Sequence, residues 1–404
     1  MPSDPTAGGP TDATPGSTAA TLGAPTASTP TPGRRGAIRT LLAGSAVAAI
    51  AGSAALGVSA SAQAEDPSAT TLDPFALEQA PTGRIREYWI QADSFEHNAV
   101  PNGYDGMMGT HYTPEQTTFW AIGFRAYTPN WGTPLPADTS PQGIGTNSGI
   151  PGPVLRAEVG DTLVVHFRNN DAHYQWPHSM HPHGVRYDRD NDGGWLAVEP
   201  DRPGTAVPYG GSYTYTWTAL PSSVGTWPYH DHSVPQTIPA PTTTAGSAAP
   251  KHPAMDMGGG GVMEIGAELG LLGIIAITDR HTPVVDKEFI LFFHDAYAAD
   301  IPSLAQDTDM FNGGAFLDNT PTFTAKRGDR VRWRIAALGK EFHVFHLHGH
   351  RWRRGSQWVD SELLGPSTTL TVEYTEDNPG DWIYHCHVTD HMMGGMVGRY
   401  RALP

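Results

Sequence analysis

His385-Cys386-His387, followed by His391 and Met396, places the only cysteine of this 404-residue chain between two histidines, with a third histidine and a methionine close behind. Cys386, His391 and one further histidine would make the trigonal thiolate-imidazole set of a blue copper site, with Met396 as the weak axial ligand. In an extended segment successive side chains point to opposite faces, so His385 and His387 face one way and Cys386 the other. One strand end can therefore serve two metal sites, joined by a short covalent path.

Three more clusters supply the partners: His181-Pro182-His183-Gly184, His230-Asp231-His232, and His343-Val344-Phe345-His346-Leu347-His348. By the same parity His346 and His348 share a face, while His343 points the other way and can join Cys386, His391 and Met396. Eight histidines in four His-x-His pairs remain for a second copper centre, and imidazole suits copper. A single His-x-His is usually a surface or satisfied core feature, but four such motifs in order are not. Outside them, His97, His111, His166, His173, His178, His252, His281, His294 and His350 read as ordinary polar residues, with His178 and His350 near enough to support ligands.

In order and spacing the four motifs resemble those of the multicopper oxidases, and in particular those of the bacterial two-domain, or small, laccases. The resemblance implies four coppers per functional unit. It implies type 1 copper at His343, Cys386, His391 and Met396, and type 2 copper at His181 and His346. The type 3 pair would lie at His183, His230, His232, His348, His385 and His387. It also implies a homotrimer with its trinuclear sites at subunit interfaces. Asp192 falls where the small laccases carry an acid near the cluster, and Tyr187 matches their cluster-side tyrosine. The plain alternative for both is turn chemistry, since Asp192-Gly193 is a common turn pair.

The rest of the sequence frames these motifs. Residues 1–64 read as an export signal with a disordered extension: a Pro/Thr/Ala/Gly-rich start, Arg34-Arg35, a mild apolar run from Leu41 to Val58, and a small-residue cleavage site at Ala62-Gln63-Ala64. Paired arginines ahead of such a run resemble a twin-arginine signal, so a secreted, extracytoplasmic protein is expected. The run is too short and too rich in Gly and Ser to suggest a membrane anchor. A lone cysteine allows no intramolecular disulfide. The net charge of −16 argues against nucleic acid as a partner.

Beyond a tail at 65–84, a weak internal repeat organises the chain. Pro153 to Phe167 leads to the first His-x-His, and Pro321 to Trp333 to the third cluster; each is strand, Gly-Asp turn, strand, and His183 and His348 stand 165 residues apart. Short β-branched and aromatic runs punctuated by 46 Gly and 36 Pro favour an all-β fold of antiparallel sandwiches. The expected architecture is two cupredoxin-like Greek-key β-sandwich domains, 85–282 and 283–404, joined near His281 to Asp286. Residues 234–261 form a Pro/Thr/Gly-rich loop ending in Met255-Asp256-Met257, read as mobile, with a lid or thioether Cu(I) ligands as the functional alternative.

The expected activity couples one-electron oxidation of phenols or aromatic amines to reduction of O2 to water. Met396 as axial ligand favours a lower type 1 potential and so electron-rich donors. A metallo-oxidase of Cu(I), Fe(II) or Mn(II) shares this metal core and would differ in acidic or Met-rich residues beside the type 1 site. A dedicated phenol-coupling biosynthetic oxidase would look identical at the motifs. Complete His-x-His pairs argue against a copper nitrite reductase, and the modest Met and His content elsewhere against a copper-sequestering protein.

Overall fold

A computed structural model describes residues 83–239 and 264–404. The expected export signal, most of the tail and all but the first six residues of the 234–261 loop lie outside the described residues. No described helix is long and apolar enough to cross a membrane.

The described chain is built from two sandwiches of the same plan. In the first, one sheet has the order Thr118–Tyr127, Ile85–Asn98, Thr162–Asn170, Ser212–Thr218. The facing sheet has the order Leu155–Glu158, Leu272–Thr278, Gly225–His230, His181–Pro182. In the second, Thr308–Phe311, Lys287–Ala296, Arg330–Leu338 and Thr369–Thr375 face Thr322–Lys326, Val397–Leu403, Gly380–Cys386, His343–Leu347 and Ser361–Leu364. Alternation explains the layers: in Thr162–Asn170, Leu163, Val165 and Phe167 point into the core while the residues between them are partly exposed.

Pairing is less uniformly antiparallel than the sequence suggests. Ile85–Asn98 runs parallel to Thr162–Asn170, Lys287–Ala296 parallel to Arg330–Leu338, and the final strand of each sandwich runs parallel to its Leu155–Glu158 or Thr322–Lys326 neighbour. A chain that crosses between sheets at each Gly-Asp turn brings some strands back in the same direction, which composition does not reveal.

The repeat is exact in its local chemistry. Gly160 and Gly328 turn at φ +92° and +91°, a backbone region that favours glycine. The following aspartates close the turns: Asp161 Oδ2 accepts from Glu158 N at 3.0 Å, and Asp329 Oδ2 from Lys326 N at 2.8 Å. Tyr229 donates to Pro153 O at 2.7 Å as Tyr384 does to Pro321 O at 2.6 Å.

The two sandwiches share apolar contact. Phe292, Ala296, Met310 and Leu338 of the second belong to the core that holds Ile122, Ile150 and Leu272 of the first. Burying a side chain such as Phe292 or Leu338 contributes about 1.5–3 kcal/mol. Glu288 adds a buried ionic tie, meeting Arg156 of the first sandwich at 2.6 Å and Arg334 at 2.9 Å, and Arg334 in turn donates to Gly225 O at 3.1 Å.

Candidate metal centres

Three groups of potential ligand atoms form among the described residues, each with its atoms within 4.8 Å of one another: His343, Cys386 and His391; His181, His183 and His230; His346, His348 and His385.

The first group is buried throughout. Strand His343–Leu347 turns His343 inward, Cys386 ends its antiparallel neighbour, and the helix Thr389–Gly394 delivers His391. Cys386 Sγ stands 3.9 Å from His343 Nδ1 and 3.7 Å from His391 Nδ1, and the two nitrogens are 3.2 Å apart. Met396 is fully buried, and its backbone ties back to both ligands, donating to His391 O at 2.9 Å and accepting from Cys386 N at 3.1 Å. Burial raises the Cys386 thiol, but hydrogen bonds from His343 and His391 outweigh it and bring it down to about 7. The thiolate is the metal-binding form. Burial would lower His343, yet Asp295 and Cys386 hold it at about 10.

The other two groups repeat each other. His183 Nε2 lies 3.2 Å from His230 Nε2, and His348 Nε2 3.1 Å from His385 Nε2. The opposite nitrogen of the partner ring is held by backbone in each: His230 Nδ1 by Asp231 O at 3.0 Å, His385 Nδ1 by Cys386 O at 2.9 Å. His181 Nδ1 meets Asp192 O at 2.6 Å, and His346 Nδ1 meets Asp360 O at 2.8 Å. Such contacts fix ring orientation and leave the Nε2 atoms aimed inward. His232 and His387 stand beside these groups, with rings 5.4 Å from His181 and 5.3 Å from His346. Burial and the neighbouring imidazoles push His183 down to about 4; burial and the same neighbour effect do so for His385. Neutral imidazole is the ligand form.

This donor chemistry fits copper. A thiolate with two imidazole nitrogens, and inward-facing Nε2 pairs near 3 Å with no acid between them, are ligand sets that a cation satisfies. His232 Nδ1 is moreover buried with no hydrogen-bond partner.

Asp192 and Tyr187 both lie at the first-sandwich group. Asp192 Oδ1 is 3.4 Å from His181 Nδ1, and its other oxygen is held by Arg202. The Tyr187 ring lies 6.0 Å from that of His181, and its phenol is pushed up by burial and by Asp192. His178 and His350 are buried: His178 is enclosed by Asp171 and Asp231, and His350 bridges His348 O at 2.8 Å and Glu376 at 3.0 Å.

Several neighbours escaped sequence reading. Glu341 accepts from the outward Nε2 of His391, Asp295 lies 3.3 Å from His343 Nε2, Glu264 lies 3.6 Å from His232 Nε2, and Ser361 Oγ lies 3.0 Å from His346 Nδ1. Only Glu341, two residues before His343, was close to a motif, and a lone glutamate there carries no signal.

Two family models, each described as multicopper oxidase, match residues 130–248 and 295–404, together more than half of the chain. The chain belongs to the multicopper oxidase family. Among curated relatives, this multicopper oxidase is 28% identical over 357 residues to the mouse ferroxidase HEPHL1, covering 79% of the chain and 28% of that protein. It is 27% identical over 364 residues to human hephaestin, covering 80% of the chain and 29% of hephaestin. It is also 30% identical over 265 residues to a probable nitrite reductase-hydroxylamine oxidoreductase fusion protein of Kuenenia stuttgartiensis, covering 62% of the chain and 27% of that protein. The chain thus spans under a third of the length of these relatives. Among solved structures, a multicopper oxidase crystal structure matches with TM-score 0.54 and 21% identity, over 82% of this chain and 96% of that one, which shows the shared fold.

Proposed function

We propose that this multicopper oxidase takes single electrons from phenols and aromatic amines at its thiolate site and uses them to reduce O2 to water. The observation that carries this reading is the end of the Gly380–Cys386 strand. Cys386 faces His343 and His391, while His385 and the following His387 lie among the imidazoles of the other set. Copper bound at these sets would supply the one-electron steps and the site of oxygen reduction. The residues around it supply the rest. His391 presents its outer edge to Glu341, whose carboxylate would take the proton that a phenol loses on oxidation. Asp192, oriented by Arg202, and Tyr187 would hold protons on the oxygen side.

The same reading calls for a second copy of the chain. Among the described residues no ligand group combines histidines of both sandwiches, and His348 and His387 are exposed. A trinuclear centre drawn from both sets would form where the first sandwich of one copy meets the second of its neighbour. Head-to-tail contacts of that kind close into rings, here a homotrimer. Export through a twin-arginine signal accords with a chain whose one thiol serves a metal.

A second reading, oxidation of Fe(II), Cu(I) or Mn(II), is favoured by one specific feature: Glu341 on the outer edge of His391, with Asp309 also acting on that ring. Carboxylates suit Mn(II) and Fe(II) better than soft Cu(I), and ferroxidases are among the relatives. Oxygen uptake by copper-loaded protein with 2,6-dimethoxyphenol, compared with Fe(II) and Cu(I), separates the two. Faster turnover of the phenol is expected; faster turnover of a metal ion would replace the first reading with the second.

A further inference from the structure

A basic hairpin stands out on a chain of net charge −16. Trp352–Arg354 pairs with Gln357–Val359, and Arg351, Arg353, Arg354 and Trp358 are all exposed. The guanidinium groups of Arg351 and Arg353 lie 5.7 and 5.0 Å from the Trp358 ring. Arg354 pairs with Glu362 at 3.1 Å, whereas Arg351 and Arg353 enter no ion pair among the described residues. The hairpin leaves the fold between His348 and Ser361, at the exposed histidine set: Asp360, the residue that ends it, holds His346 Nδ1 through its carbonyl at 2.8 Å.

The loop from Asp188 to Arg202 holds the corresponding place in the first sandwich. Asp192 O holds His181 Nδ1 at 2.6 Å, and Trp195 N donates to His232 O at 2.9 Å. Within it Arg189 pairs with Glu199 and Arg202 with Asp192. Asp188, Asp190 and Asp201 remain exposed and outside any ion pair among the described residues.

We infer that the basic hairpin of one copy docks on the acidic 188–201 loop of a second copy and sets the register of the joint between them. The inference rests on the reading that the trinuclear centre is shared between copies. If His181 and His346 serve one metal, the elements holding their Nδ1 atoms become neighbours, and those elements are this loop and the base of this hairpin. Unpaired arginines then face unpaired aspartates, opposite charges meeting on a chain that is acidic as a whole. Stacking on Trp358 pre-orients the arginines, so less freedom is lost on docking. Rim charges of this kind act on encounter rate and register and are screened by salt.

The test is sedimentation velocity of the copper-loaded full chain across ionic strengths, with visible absorption of the Cys386 site as a check of folding. Arg351→Glu/Arg353→Glu and Asp190→Lys/Asp201→Lys are each expected to weaken assembly by tenfold or more and to flatten its salt dependence. The fourfold variant carrying both swaps is expected to recover wild-type assembly. Assembly unchanged in the two one-sided variants, or not recovered in the fourfold one, would overturn the docking inference while leaving the shared centre intact. A wild-type chain that is monomeric and fully active would instead overturn the shared-centre reading beneath it.

Discussion

The two sandwiches carry the same frame and opposite contents at one place. In the second, His343 lies three residues before His346 and Cys386 lies between His385 and His387. In the first, His178 lies three residues before His181 and Asp231 between His230 and His232. His178 Nδ1 meets Asp231 at 2.9 Å and its Nε2 meets Asp171 at 3.2 Å, all three buried. Burial would lower His178, but the two carboxylates outweigh it and raise it to about 9. Both nitrogens of His178 are engaged by carboxylates, so neither is directed at a position shared with other donors. In the second sandwich the thiol and two imidazoles instead aim three donors at one point. The counterpart of the His391 helix also differs: Thr389–Gly394 follows Cys386 at once, whereas Ile265–Glu268 follows Asp231 only after the long insertion. The fold supplies two pockets of the same design, and the residue types at a few positions decide that one gathers donors that could hold a metal and the other is a closed ion cluster.

The largest test of that contrast is Cys386→Ser. Oxidase activity is expected to fall at least about a thousandfold and the intense visible absorption to vanish, with circular dichroism unchanged. Retained absorption would mean that the colour does not arise from a copper held by Cys386, since the chain has one cysteine, and would sink the assignment of the thiolate site.

Asp171→Asn probes the other pocket. Removing one partner of a buried ion pair costs about 3–5 kcal/mol, read in denaturant unfolding, and the visible absorption should stay as in wild type. The pH dependence sharpens this. His178 has its folded value raised from 6.5 to about 9, so its contribution is fully present below pH 6.5 and is lost as pH climbs through 9. The wild-type melting temperature should fall over that window, and the variant should show a shallower fall.

Glu341→Gln leaves His391 a hydrogen-bond acceptor but removes the charge at its outer edge. A loss of roughly tenfold or more in kcat/KM for phenols, with kcat carrying most of it, would mark proton acceptance. A rise in KM confined to Fe(II) or Cu(I) would mark cation binding. The smallest effect belongs to Met396→Leu, which should raise the reduction potential of the thiolate site without abolishing its absorption. A potential unchanged in redox titration would remove the argument from axial ligation to donor range.

Much of this was legible in the residues themselves. The donor types, their His-x-His spacing and the two-residue alternation of strands placed Cys386, His343 and His391 in one set and the eight paired histidines in a second, because parity along a strand is local. The Gly-Asp turns announced the repeat for the same reason. Other features needed the folded chain. The parallel pairing of Ile85–Asn98 with Thr162–Asn170 depends on how the chain crosses between sheets. Glu341, Asp295, Glu264 and Ser361 reach their histidines from separate segments, so no spacing could reveal them. The sequence by itself determined which atoms could bind copper and that two sites share one strand end. Only the tertiary structure decided that His178 and Asp231 close on each other, and that the two halves of the histidine set form separate groups within one chain. Ligand identity and facing are written residue by residue, whereas burial, charge compensation and the meeting of distant segments exist only once the chain has packed.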